Sequence, residues 1–223
     1  MIELKPEQPD DRWEVEALYD LCFAPGREAL SSYRLRDGVP AVAGLSQVAR
    51  DEAGILAGAI RFWPVRVAQA DHEGAAASCS PGHVSDQPNS KPLGHQPQAH
   101  QPQANQPPAH QPAGHAALLL GPVAVHPTHQ GEGLGGALIR DSLAKAAEDR
   151  WSRVLLVGDA PYYARFGFTL LAGVEMPPPT NPDRVLGLEL QPGAWADVRG
   201  QVLRWSADVE TAEERAGGAR ALT

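Results

Sequence analysis

The 223-residue chain has little cysteine: Cys22 and Cys79 are the only two. Thiols so few and so far apart make neither a disulfide framework nor a metal site of paired ligands. The expectation is two reduced thiols in a cytoplasmic protein. Long apolar runs are lacking too. No stretch approaches the roughly 18 residues that a membrane-spanning helix requires. The opening MIELKPEQPDDRWEVE does not show the charged-then-apolar order of a signal peptide. Positive charge is short as well. With 19 Lys and Arg against 27 Asp and Glu the net charge is −8, which argues against a general nucleic-acid binder. Apolar residues are not short. They make up 43% of the chain against 21% charged, enough for a sizeable core in one large domain or two small ones.

One segment lacks nearly everything a core needs. Between Ala70 and Ala116 there is no aromatic residue, and Val84 and Leu93 are the only large apolar ones. Its HQPQAHQPQANQPPAHQP stretch repeats His-Gln-Pro at short intervals. Proline removes backbone donors and favours extended conformations, and a segment with so little to bury does not repay the entropy of ordering. Residues 70–116 therefore read as a disordered His/Gln/Pro-rich insertion inside a single domain spanning 1–223. Six of the eight histidines (His72, His83, His95, His100, His110, His115) fall in it. Metal ligation needs a fixed geometry that this stretch does not offer, so no metal is expected. Residues 208–223, ending ETAEERAGGARALT, read as a frayed tail.

The flanks of the insertion read as α+β, a mixed central sheet with helices against it. MIEL suggests a first strand. From Asp10 to Phe23 the positions of Val15, Leu18, Leu21 and Cys22 predict a helix with Asp10 or Asp11 at its start. Leu45–Arg50 and Ile55–Val67 predict two antiparallel strands joined by a turn at DEAG. ALLLGPVAVHP predicts a strand broken at Gly121-Pro122, since proline removes a ladder donor and marks a bulge or an edge. A helix follows over Gly133–Arg150, with Gly136, Ile139, Leu143, Ala146 and Ala147 on one face and Asp141, Lys145 and Glu148 on the other. RVLLVGD predicts a buried strand, APYYARF a short helix, and VLGLEL a further strand.

The run HPTHQGEGLGGALI, residues 126–139, places Gly131, Gly133, Gly135 and Gly136 at the opening of that helix. Read literally, Gly131-x-Gly133-x-x-Gly136 is the dinucleotide fingerprint, and Asp159 lies at about the downstream distance for a ribose contact. A Walker loop is excluded because Ala137, not lysine, follows Gly136. Against a Rossmann turn, residues 126–130 intervene between strand and glycines, and the further β-α units of a doubly wound sheet are missing.

More residues fit a third pattern. Gln130-x-x-Gly133-x-Gly135, after a strand ending VAVHP, resembles the acyl-CoA signature of the GNAT N-acetyltransferase superfamily. LVGDAPYYARFGF resembles the strand–helix–strand that completes the family's CoA site, with Tyr163, Gly167 and Phe168 in its Y-x-x-x-G-F spacing. The GD-x-x-YY-x-RFGF form is similar to a bacterial branch of N-acetyltransferases. The likeness covers roughly Ile2–Val67 and Leu118–Leu190.

That resemblance implies a GNAT-like fold, acetyl-CoA as cosubstrate without a metal, and transfer of an acetyl group to a primary amine of a small molecule or protein. It implies CoA contacts from Val123, Ala124 and Val125 on the strand and from Gln130, Gly131, Glu132, Gly133, Leu134, Gly135 and Gly136 in the loop. The physics agrees. A helix N-terminus offers unpaired N–H groups and a positive dipole end to a pyrophosphate, and glycines leave no side chain in the way. A bulged strand presents backbone groups with which the amide-bearing pantetheine arm can pair. By family analogy Tyr163 is the acid that protonates the departing thiolate, its phenol having a reference pKa near 10. Many members place a carboxylate base on the bulged strand, but LLLGPVAV has none, which leaves Asp159, Glu28 or a chain of waters. His126 and His129 read as polar loop residues. The acceptor side would be built from FAPGREALSSYRLRDG, where Arg27, Arg34 and Arg36 are candidates to select an anionic acceptor. Neither nucleic acid nor membrane is an expected partner, and a homodimer is compatible. The alternatives are a non-enzymatic acyl-CoA-binding module and a dinucleotide-binding oxidoreductase.

Overall fold

The computed structural model describes residues 2–23, 25–68 and 114–205. The expected tail at 208–223 and residues 70–113 of the expected insertion lie outside them. By their contacts the described residues on both sides of the insertion belong to one compact unit.

Among the described residues nine strands form one mixed sheet. They are β1 (Glu3–Pro6), β2 (Gln47–Arg50), β3 (Leu56–Ala68), β4 (Gly114–Val125), β5 (Arg153–Val157), β6 (Thr169–Leu170), β7 (Val174–Glu175), β8 (Val185–Glu189) and β9 (Gly200–Arg204). The order runs β1-β2-β3-β4-β5-β8-β6, with β9 beside β3 and β7 beside β9. Only β4–β5 and β7–β9 are parallel. A doubly wound parallel sheet is thereby ruled out, and with it the dinucleotide reading of the glycines. The helices are α1 (Arg12–Cys22), α2 (Ser31–Arg34), α3 (Leu134–Glu148) and α4 (Ala160–Tyr163).

The β3–β4 ladder extends past the apolar core. Val67 pairs with His115 and Arg66 with Ala116, so Gly114–Ala116 belong to β4 rather than to the insertion. Composition hides this because a backbone ladder needs no apolar side chains to continue. Three short strands, β6, β7 and β9, have no clear sequence signal.

The sheet is covered on both faces. Leu134, Leu138, Ile139, Leu143 and Ala146 of α3 pack on Ile60, Phe62, Leu118 and Leu120. The buried stripe of α3 includes Leu138 and Ser142, while Ala147 is exposed. On the other face Val15, Leu18 and Tyr19 of α1 cover Val48, Ala59 and Ala124. Here Tyr19 takes the place expected of Leu21, which is exposed, because 15, 18, 19 and 22 form the i, i+3, i+4, i+7 stripe.

Gly58 sets how closely α3 approaches the sheet. A Cβ there would lie 3.1 Å from Ala124 O and 3.1 Å from Leu138 Cδ1. Gly58→Val is expected to destabilise the fold by about 1–3 kcal/mol through overpacking, read as a lower denaturation midpoint. An unchanged midpoint would show that α3 moves aside freely.

Candidate active site

The site begins with an irregularity in β4. Ile60 faces Val123 and Phe62 faces Leu120, so Gly121 and Pro122 together oppose Arg61 alone. This is the bulge that GPVAV predicts. Beyond Leu119, β4 no longer pairs with β5, and the two parallel strands part. His126 N–H donates to Ala57 O at 2.8 Å. By alternation, His126 and Ala124 direct their backbone groups to β3, and Val123 and Val125 turn theirs to the open side. The Ala124 side chain is buried beneath α1, whereas Val123 and Val125 pack on the α3 side.

The glycine loop closes one end of that gap. Gly131 and Gly133 adopt φ +85° and +81°, left-handed conformations that favour glycine. Gly133 caps α3 without a side-chain acceptor, and the first helical donor is Ala137 N–H to Gly133 O at 3.0 Å. The N–H groups of Leu134, Gly135 and Gly136 precede that bond and have no partner within the helix. Gln130 Nε2 donates to Val125 O at 3.1 Å and ties the loop to the strand end. Glu132 is exposed and meets His129 Nδ1 at 3.3 Å, while the Leu134 side chain is buried in the core. Between loop and strand lies a cavity of about 370 Å³ bordered by Val125, Gln130, the glycines, Arg140, Tyr162 and Arg165.

Arg140 and Arg165 are the residues that sequence reading missed. Side chains on a helix lean toward its N-terminus, so Arg140, one turn after Gly136, reaches back over the glycine face. A Cβ on Gly136 would lie 3.4 Å from Arg140 Nη1. Arg165 stacks on Tyr162, 4.0 Å from the ring centre. Two guanidiniums, a helix N-terminus and a side-chain-free loop make an anion cradle.

The two tyrosines of α4 separate. Tyr162 borders the glycine cavity. Tyr163 packs edge-on to Tyr162 at 5.0 Å and to Phe168 at 5.8 Å. Its ring lies against Gly158, just past the end of β5, where any Cβ would overlap it. Burial, reinforced by the neighbouring Tyr162, pushes its pKa up to about 12, so the phenol is protonated throughout the neutral range. Asp159 caps α4, its Oδ2 accepting from Tyr162 N–H at 3.2 Å, and that occupation explains it better than a catalytic role.

On the opposite face of the sheet a cavity of about 1630 Å³ reaches the bulge at Pro122. Tyr19 donates its hydroxyl to Pro122 O at 3.4 Å. Glu16 sits between Arg27 Nη2 at 2.8 Å and Arg61 Nη1 at 2.5 Å. Burial alone would raise its pKa, but the hydrogen bonds from both arginines outweigh it and hold the carboxyl below its usual range. Of the arginines noted in the sequence, Arg27 and Arg36 line this cavity, as does Arg34, which also donates to Pro178 O at 3.4 Å. Cys22 donates its thiol to Val125 O at 3.4 Å, and burial pushes its pKa up, which keeps it protonated. Among the described residues there is no cluster of metal-ligating side chains, and no helix is long and apolar enough to cross a membrane.

Residues 107–170 match the family model of the acetyltransferase (GNAT) domain. The chain is 42% identical over 55 residues to the uncharacterized N-acetyltransferase YjhQ of Escherichia coli (strain K12), a match that spans 25% of this chain and 30% of that protein. The fold is similar to that of a GNAT family N-acetyltransferase, YhbS, from E. coli in complex with CoA. That similarity has a TM-score of 0.62 and 23% identity over 92% of this chain and 89% of the other. A GNAT family acetyltransferase from Brucella melitensis in complex with acetyl-CoA gives a TM-score of 0.57 at 23% identity, over 93% and 97%. Residues 107–170 thus match the GNAT acetyltransferase domain, and the chain has the fold of GNAT family acetyltransferases.

Proposed function

We propose that the chain transfers an acetyl group from acetyl-CoA to a primary amine of a small molecule or protein, in the cytoplasm. One observation carries the reading. Pro122 borders the large cavity and Val125, in the same strand, borders the glycine cavity. At about 3.3 Å per strand residue the two cavities approach within about 10 Å along β4. A thioester reaching out of the anion cradle and an amine arriving from the other face would meet there.

The roles follow from position. The N–H groups of the glycine loop, with Arg140 and Arg165, suit a pyrophosphate. The outward backbone groups of Val123 and the N–H of Val125, whose carbonyl already accepts from Gln130 Nε2 and Cys22 Sγ, suit the pantetheine amides, added as a further strand. Tyr163 is the proposed donor of the proton that the departing thiolate takes up. The amine loses its proton toward the large cavity. There Glu7 and Glu16 are held by Arg61 and Arg27, and Glu28 lies exposed at the rim.

The lack of a carboxylate on β4 favours one second reading, a protein that binds acyl-CoA without turning it over. Calorimetry with acetyl-CoA and with NAD, followed by thiol release on a panel of amines, separates the cases. Acetyl-CoA is expected to bind and NAD not, and at least one amine to release CoA well above the rate of hydrolysis. Acetyl-CoA binding with no release on any amine would replace the enzyme by the binding module.

A further inference from the structure

Most charge in the large cavity is already paired. Arg61 grips Glu7 through Nε, at 3.1 and 2.8 Å from its two oxygens, and through Nη2 at 2.6 Å. Arg27 holds Asp20 Oδ1 at 2.9 Å and the Tyr33 hydroxyl at 2.7 Å besides Glu16. Arg36 differs. It lines the same cavity, and its guanidinium carbon lies 4.3 Å from the Tyr33 ring centre and 4.6 Å from that of Trp63. Its Nε and Nη1 are shielded from solvent and meet no acceptor. No carboxylate among the described residues pairs with it, and burial of this charge pulls its pKa down to about 10.

With two ring centres 4.3 and 4.6 Å from its carbon the guanidinium is restrained, and its planar fork suits a planar carboxylate through two parallel hydrogen bonds. Shielded charged donors without an acceptor are unfavourable, so a small turn of the side chain toward an entering anion exchanges unmet donors for met ones. The other end of the cavity brings carboxylates. Glu7, Glu16 and Asp20 line it together with Arg12, Arg27 and Arg61. Arg61 is the residue opposite the Gly121–Pro122 bulge. Arg61 and Trp63 share a face of β3, two residues or roughly 7 Å apart. Carboxylates thus stand beside the bulge on Arg61, and a guanidinium with unmet donors stands beside Trp63.

We propose that the acceptor is an amino acid or similar small amine with its own carboxylate, and that Arg36 receives this carboxylate while the ammonium end lies toward Pro122. The inference rests on the acetyltransferase reading and gives its acceptor a chemical class. A lysine side chain on a protein surface, with no carboxylate a few bonds away, is disfavoured by it.

The test uses a ladder of amino acids, glycine, β-alanine, 4-aminobutanoate, 5-aminopentanoate and L-phenylalanine, each beside its carboxamide. The measure is kcat/KM for CoA release in the wild-type protein, Arg36→Met and Arg36→Lys. At least one acid is expected to exceed its amide by about 10²-fold or more; sites built to hydrogen-bond a group reject analogues lacking it by still larger factors. Arg36→Met should erase that ratio, mainly through KM, and Arg36→Lys should restore part of it. A merely structural role would lower acid and amide together and leave the ratio intact. Equal values for acids and amides in the wild type, or an acid preference that survives Arg36→Met, would overturn the proposal. Binding is read separately, as the Tm shift that each compound gives to the CoA-loaded protein. If no amine turns over, the enzyme reading fails, but the carboxylate site is still decided. Acids that shift Tm in the wild type and not in Arg36→Met support it, and equal shifts by acids and amides refute it. Should Arg36→Met not fold, the wild-type ratio and Arg36→Lys decide.

Discussion

Gly133→Val is expected to weaken acetyl-CoA binding by at least about 10²-fold, a change of about 2.7 kcal/mol in binding free energy. Two causes act together. Gly133 sits at φ +81°, where a β-branched residue is strained. Its side chain would also project from the rim of the cavity that the glycines share with Arg140 and Arg165. A control separates the causes. Gly193 has φ +77° with open space around it, as Gly133 has, and it does not border that cavity. Gly193→Val should lose stability by a similar route and keep its affinity for acetyl-CoA. Calorimetry on both variants, with Tm measured alongside, checks the argument. Undiminished affinity in a folded Gly133→Val protein would remove the phosphate cradle from the account.

The glycine loop was legible in the sequence because its cause is local. Left-handed turns demand glycine wherever they occur, and a helix opening on glycines leaves its N–H groups bare. The bulge was legible for the same reason, since Gly121-Pro122 interrupts a ladder whatever surrounds it. Arg140 was accessible in principle from helical spacing, but nothing local distinguishes it from a solvated arginine. The cavity cluster was not legible. Glu7, Glu16, Arg27 and Arg61 come from a loop, a helix, a short turn and a strand, and only the packing of α1 on β3 brings them together. Arg36 appeared in the sequence as one of three arginines in an irregular stretch. Its enclosure by Tyr33 and Trp63 depends on a contact between residues far apart in the chain. The strands β6, β7 and β9 fall in the same class, because their pairing is set by tertiary context rather than by pattern.

Tyr163→Phe should lower kcat by roughly 10²–10³-fold and leave acetyl-CoA affinity little altered, the range expected when a positioned proton donor is lost. The substitution keeps the ring, so its contacts with Tyr162, Phe168 and Gly158 survive. The loss belongs in kcat because a hydrogen bond to sulfur matters chiefly as the thiolate develops. With its pKa pushed up to about 12, Tyr163 stays protonated from neutral pH to well above 10, so an acid limb lost near pH 7–9 belongs to some other group. Tyr162→Phe is the necessary comparison, because Tyr162 rather than Tyr163 borders the glycine cavity. If the resemblance assigns the acid correctly, Tyr163→Phe is the slower enzyme in single-turnover measurements and Tyr162→Phe shows the larger change in acetyl-CoA affinity. A reversed order would move the proton donor to Tyr162, one residue toward the phosphate cradle. Unchanged single-turnover rates in both variants would leave solvent as the source of the proton, and the binding argument from the glycines would stand without either tyrosine.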